Sequence, residues 1–357
     1  MNGVPEAMLL AGAAAVRRVE RTVAADIPVT SSRYLHAQRA LWRTDTGQLD
    51  TDRLADVLAR ARPGDAEGEV ELELLSAVVR LGKFSRGQTI KVRSYLALDD
   101  QPVSLKVWRG FDERTSPGRR ERLVRAQIAG IDGYRSPRVL ADGRIDDIDY
   151  LAETVIYGRH PSGPAERLNA AADVGTALCD GYRATMTGLR RLSATTHPAF
   201  RDRIDAALGP EPNRDWTPET LARLRDRVLR LIDQDRRLPV AVTHGDLVAT
   251  NIIRSPDGRH HLVDWEHGRT GPVAFDLVKL ILTSGDPARL LDALSATTRG
   301  FAGRRRCYSW EEQLALGIAQ FLSWSEAGRR SAAAVGRLHR YEAEHRARLR
   351  LLVMLLP

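Results

Sequence analysis

A chain of 357 residues with 43% hydrophobic, 28% charged and 6% aromatic residues has apolar material for a large core and length for two or more lobes. This composition excludes collagen-like, disordered and disulfide-scaffold proteins, and no apolar run approaches the ~20 residues of a membrane-spanning helix. The 54 basic against 46 acidic residues, net +8, admit an anionic partner; but only Lys83, Lys91, Lys106 and Lys279 are lysines, which reads as an arginine bias on a solvated surface and argues against nucleic-acid binding.

The stretch from Ala7 to Val16 has no basic residues ahead of it, as a secretory leader would, so a cytoplasmic protein is expected. Residues 1–62 read as helices, with Asp50 a plausible N-cap for the last, and a charged, turn-rich linker runs to Glu69. Strands are expected from Val70 to Val79, Thr89 to Ala97 and Val103 to Trp108, forming a small antiparallel sheet. A helix opened by Ser116-Pro117 puts Leu123, Val124 and Ile128 on one face, and a further strand spans Asp149 to Tyr157. From Ala165 onward the pattern is helical except for a β-rich patch between Val240 and Trp265. The organisation expected is thus a helical extension and linker over 1–69, a strand-rich lobe over 70–157 and a helix-rich lobe over 158–357, hinged near Gly158. Cys179 and Cys307 lie far apart without a CxxC partner and are expected to be buried thiols.

The densest chemistry lies in Val242-Thr-His-Gly-Asp-Leu-Val-Ala-Thr-Asn-Ile-Ile253 and His261-Leu-Val-Asp-Trp-Glu266. Apolar residues bracket Asp246, Asn251 and Asp264, so these polar groups belong to strand ends. Asn251 and Asp264 offer oxygen atoms suited to a hard cation such as Mg²⁺, which takes one or two protein ligands together with phosphate oxygens and water. Asp246 is then left to act on a hydroxyl. His244 reads as a core histidine bonded to backbone, and the pair His260-His261 as a solvated turn.

The segment His-Gly-Asp-x-x-x-x-Asn followed by apolar-Asp-x-Glu resembles the catalytic core of the aminoglycoside phosphotransferase and choline kinase-like family. The spacings are five residues from Asp246 to Asn251 and thirteen from Asn251 to Asp264, and Gly271-Pro-Val-Ala-Phe-Asp-Leu277 is similar to the family's downstream segment. The resemblance covers roughly residues 75 to 330. It implies an α+β, two-lobed protein-kinase-like fold, with an antiparallel-sheet N-lobe and a mostly helical C-lobe, to which residues 1–69 are an addition. It also implies transfer of the γ-phosphoryl group of ATP, or of GTP, with Mg²⁺, to an alcohol.

By the same resemblance Lys106 would hold nucleotide phosphates, with Glu121, fifteen residues on, as its carboxylate partner and Gln127 as the alternative. A lysine here is informative because arginine is the ordinary cation of this chain. Ser85 and Gly87 would cover the phosphates, with Gly82 giving the loop freedom; backbone groups of Thr154 and Ile156 would meet the base. Glu153 is an unusual residue behind that base. Gly82-Lys-Phe-Ser-Arg-Gly87-Gln88-Thr89 nearly spells a Walker loop, but it leads into a strand and carries glutamine where the lysine belongs. Asp276 is expected to act as a structural acceptor for the catalytic loop. Glu266 is either a further carboxylate on the metal side or a residue behind the ligands.

The chain departs from protein kinases at Gly245, where arginine would follow histidine, and it lacks Asp-Phe-Gly and Ala-Pro-Glu segments. Residues 291–357, where the family commonly builds its acceptor site, carry 11 arginines against 6 acids. That balance points to a neutral or anionic hydroxyl-bearing acceptor, either a sugar or natural product or a Ser/Thr in an acidic peptide. An antibiotic-inactivating enzyme and a catalytically dead nucleotide-binding scaffold are the rival readings.

Overall fold

The computed structural model describes residues 72–81, 90–98, 101–109, 111–112, 114–145, 148–154, 156, 158–209, 216–301, 306–334 and 336–356. The expected helices before residue 62, the linker after them, and Gly82, Ser85 and Gly87 lie outside these residues. The chain divides into two compact units, Met1–Ala129 with Pro137–Ile156, and Gly130–Ser136 with Tyr157–Pro357. Among the described residues no helix is long and apolar enough to cross a membrane.

The first unit holds a five-stranded antiparallel sheet of β1 (Leu72–Leu81), β2 (Ile90–Leu98), β3 (Gln101–Arg109), β4 (Val139–Ile145) and β5 (Ile148–Thr154), in the order β1-β2-β3-β5-β4. Ser104, Lys106 and Trp108 alternate on one buried face of β3, opposite Glu153, Leu151 and Asp149 of β5. Helix α1 (Pro117–Ile128) begins at Ser116, whose hydroxyl accepts from the Arg119 amide and donates to Asp149. Its Gly118 lies so close to the sheet that a Cβ there would stand 2.6 Å from the Trp108 ring and 2.7 Å from Asp149 Cβ. Val124 and Ile128 are buried as expected, as is Glu121, the expected partner of Lys106, whereas Leu123 is 53% exposed and Arg125 takes the inner face instead.

Strand β4 was not expected, because Ala141-Asp-Gly-Arg144 reads as a turn; its pairing with β5 supplies what local propensity does not. Strand β5 spans Ile148–Thr154, and Ile156 lies outside it.

The second unit begins with α2 (Pro164–Ala184), β6 (Gly188–Arg191), α3 (Phe200–Ala207) and α4 (Pro218–Gln234). Strand β7 (Arg237–Thr243) is buried from Leu238 to Thr243 and lies between β6 and β10 (Arg269–Pro272) in an antiparallel sheet. Between β7 and β10 runs the short hairpin of β8 (Ile252–Arg254) and β9 (His260–Leu262). Helices α5 (Val273–Thr283), α6 (Pro287–Thr298), α7 (Trp310–Leu322), α8 (Ser325–Ala334) and α9 (Leu338–Leu355) complete the unit. The apolar residues of α5, among them Phe275, Leu277, Val278, Leu280 and Ile281, are buried, each contributing about 1.5–3 kcal/mol relative to exposure.

Gly130–Ser136 belongs to this unit through Tyr134. Its ring meets Tyr182 and Trp265 edge-on at 6.1 and 5.5 Å, and its hydroxyl donates to the Val242 carbonyl at 2.7 Å. Leu262 completes the attachment by donating to the Arg135 carbonyl.

Three expectations for this unit need correction. His260 and His261 sit on β9 and not in a solvated turn: His260 Nδ1 lies 2.7 Å from Asp173 and His261 Nε2 lies 3.2 Å from the Ser255 hydroxyl. Cys179 is buried, but Cys307 is only partly so. The β-rich region also extends beyond Val240–Trp265, since β6 and β10 flank β7.

Candidate active site

In the second unit the chain leaves β7 into the segment His244–Asn251, which is held by a set of hydrogen bonds to its backbone and side chains. His244 is fully buried beside Trp265, ring centroids 4.5 Å apart. Burial holds its imidazole below the usual histidine range against the raising effect of Asp276. The neutral ring donates from Nε2 to the Val263 carbonyl at 2.9 Å and accepts the Asp246 amide on Nδ1 at 3.3 Å. The Asp276 carboxylate, in the first turn of α5, accepts the His244 amide at 2.6 Å, the Gly245 amide at 2.8 Å and the Tyr182 hydroxyl at 2.8 Å.

Gly245 has φ 76°, and a Cβ there would overlap the His267 carbonyl oxygen. This accounts for the absence of a larger residue after His244.

Asp246 is anchored at its amide by His244, at its carbonyl by the Asn251 side-chain amide at 2.9 Å, and at Oδ1 by Lys279 Nζ at 2.7 Å. Its side chain remains 38% exposed. Burial works to raise the Asp246 carboxyl, but the Lys279 ammonium outweighs it through charge and hydrogen bond, and the group lies below the ordinary carboxylate range. Lys279 is a residue that sequence reasoning missed; its one signal was its being a lysine in an arginine-rich chain.

Asn251 closes the short 3₁₀ turn Ala249–Asn251, and its carbonyl accepts the Val263 amide at 3.0 Å. That bond ties Asn251 to the residue before Asp264. Asp264 has φ 70° and ψ 60°, a left-handed conformation that an Asp tolerates but that costs on the order of 1–3 kcal/mol. With the Asn251 NH₂ spent on Asp246, its amide oxygen and the Asp264 carboxylate are the oxygen donors suited to Mg²⁺. Glu266 is half-buried, its Oε1 3.7 Å from His267 Nε2.

In the first unit, Lys106 Nζ lies 2.6 Å from Glu121 Oε1 and 2.9 Å from Glu153 Oε1, and all three side chains are buried. Arg125 holds the other oxygen of Glu153 at 2.8 Å and donates to the Pro137 carbonyl. Two cations thus face two carboxylates. Glu153, read from sequence only as an odd residue behind the base, is a second partner of Lys106. Gln127, the alternative to Glu121, is exposed. The Thr154 amide donates to the Arg138 carbonyl at 2.9 Å and is therefore spent within the unit, which removes one of the backbone groups expected to meet a base. Ile156 is half-buried.

Residues 87–310 match the model of the phosphotransferase enzyme family, more than half of the chain, and the chain belongs to that family. An aminoglycoside phosphotransferase from Alicyclobacillus acidocaldarius is similar in structure, with a TM-score of 0.51 and 16% identity over 74% of this chain and 89% of that one. Choline kinase LicA from Streptococcus pneumoniae has a TM-score of 0.43 at 17% identity, over 76% and 94% of the two chains. A thermostable mutant of aminoglycoside phosphotransferase APH(4)-Ia, solved with ADP and hygromycin B, has a TM-score of 0.47 at 13% identity over 78% and 95%. No curated protein matches significantly. The fold is protein-kinase-like, and the enzyme is a phosphotransferase acting on an alcohol acceptor.

Proposed function

We propose that the chain transfers the γ-phosphoryl group of ATP to a hydroxyl of a neutral or anionic small molecule, with Asp246 as the group that orients the hydroxyl and accepts its proton. The observation that carries this reading is the anchoring of Asp246 at its amide, its carbonyl and Oδ1, with the side chain still partly open. The acceptor O–H bond breaks with its proton passing to Asp246, the acceptor oxygen bonds to the γ-phosphorus, and the bond to the bridging oxygen of the leaving ADP breaks. Because the transition state is loose, positioning and charge stabilisation supply most of the rate, and a carboxylate of low basicity suffices for a late proton transfer.

Asn251 and Asp264 would hold Mg²⁺, with Glu266 beside them; bound there, the ion would supply charge neutralisation at the phosphate oxygens. Lys106, fixed by Glu121 and Glu153, is the cation for the nucleotide phosphates. Backbone groups of Ile156 and Thr154 would meet the base, and Ser85 and Gly87 would cover the phosphates. His244 and Asp276 act by holding the loop.

The acceptor's charge follows from the arginine excess of residues 291–357, 11 against 6, which would repel a polycation. Labelled ATP incubated with a metabolite extract, followed by mass spectrometry, names the acceptor; GTP in parallel tests the donor. Asp246→Asn is expected to cut kcat by about two orders of magnitude or more with nucleotide affinity unchanged. Near-normal turnover would remove Asp246 from the mechanism. A kcat/KM near about 10⁵ M⁻¹s⁻¹ on a kanamycin-like polycation would overturn the charge argument.

A further inference from the structure

Helix α5 supports the catalytic loop through three residues spaced three and four apart, and therefore on one helical face. Asp276 accepts the His244 and Gly245 amides. Thr283, by its hydroxyl, accepts the Ala249 amide at 3.2 Å. Between them Lys279 donates to the Gly245 carbonyl at 3.0 Å and to Asp246 Oδ1 at 2.7 Å. Asp276 and Thr283 touch only the loop's backbone, whereas Lys279 also reaches the reacting side chain itself.

The ammonium is otherwise partly covered. It stands 5.5 Å from the centre of the Phe321 ring on α7, and the side chain is 25% exposed. Two donors and a cation–π contact from one compact charge suit an ammonium and not a planar guanidinium. That requirement explains why one of the chain's four lysines stands here among fifty arginines.

We propose that Lys279 is a positioning residue for phosphoryl transfer: by holding Asp246 Oδ1 it fixes the carboxylate rotamer so that Oδ2 is the oxygen presented to the acceptor hydroxyl. The proposal rests on the reading of Asp246 as the residue that takes the hydroxyl proton. Without the ammonium the carboxylate rotates about χ1 and χ2, and the hydroxyl is misplaced relative to the γ-phosphorus. Nucleotide binding is untouched.

The test uses the full-length protein with a metabolite extract held constant and labelled MgATP varied, so that apparent Vmax and KM for ATP separate. Lys279→Met is expected to lower Vmax about 10- to 100-fold, with KM for ATP within about twofold of wild type and the melting temperature nearly unchanged. Lys279→Cys is expected to fall likewise, and aminoethylation with 2-bromoethylamine, which rebuilds a lysine-like ammonium, to restore most of the rate. Wild type treated identically controls for Cys179 and Cys307.

A folded Lys279→Met at wild-type rate, a rise in KM for ATP that accounts for the loss, or a folded aminoethylated protein that stays slow would each overturn the proposal. Unfolding of both variants would overturn it in favour of a purely structural ion pair. A wild-type protein that labels nothing and releases no phosphate would instead overturn the proposed function, and this inference with it.

Discussion

Asp276 accepts three hydrogen bonds on two carboxylate oxygens, and two of the donors are backbone amides of the loop that carries Asp246. Asp276→Asn exchanges one of those acceptors for an NH₂ group facing an N–H donor in a buried site. The expected loss is about 2–4 kcal/mol of stability, read by chemical denaturation, with kcat falling as the loop loosens. Asp246→Asn should leave stability nearly unchanged, so the two carboxylates separate cleanly in a comparison of denaturation midpoints and rates. At this scale much was legible in the sequence. His244, Asp246, Asn251 and Asp264 fall within one short stretch, where spacing alone carries information. Lys279 was not legible, because its partner lies 33 residues away and the contact exists only once α5 is placed against the loop.

The pairing of β3 with β5 places Lys106, Trp108, Glu153 and Asp149 on one sheet face beneath α1, and the helix answers with Glu121, Arg122 and Arg125. Such a buried set of charges tolerates little change, because removal of one member leaves its partner uncompensated. Glu153→Gln strands Arg125 without a counter-charge and should cost on the order of 3–5 kcal/mol, measurable as a fall in the denaturation midpoint. Lys106→Arg keeps the charge but forces a larger planar group into an enclosed slot shaped for a point contact with two carboxylates. Activity is expected to fall steeply and MgATP to stabilise the fold less than in wild type; full activity in Lys106→Arg would remove it from the nucleotide site.

The element pattern was partly visible beforehand. Strands β1 to β3 and helix α1 announce themselves by alternation and by Ser116-Pro117. Strand β4 does not, since Asp142-Gly143 mimics a turn until β5 pairs with it. On α1 the buried Glu121 is the partner that the resemblance implies for Lys106, whereas the hydrophobic Leu123 is exposed and the charged Arg125 is buried because Glu153 awaits it.

At the scale of the whole molecule, the two compact units are not two successive lengths of chain. Seven residues, Gly130–Ser136, leave the first unit and belong to the second, where Tyr134 fills the space between Tyr182 and Trp265 and caps the Val242 carbonyl. The strand that ends in the catalytic loop therefore leans on a residue more than a hundred positions upstream. A consequence follows for dissection and for fold engineering: no single cut yields an intact catalytic half. A fragment of residues 157–357 would lack the Tyr134 plug and expose an aromatic-lined hole, at a cost of about 3–5 kcal/mol if the lesion resembles a buried aromatic-to-alanine change. It is expected to unfold without a sharp transition in calorimetry, and a synthetic peptide spanning 130–136 supplied in trans should raise its midpoint. The same threading means that swapping sheet-bearing units between relatives at one junction would transplant the wrong plug, so a working chimaera needs three junctions, one on each side of the seven-residue loan and one after Ile156.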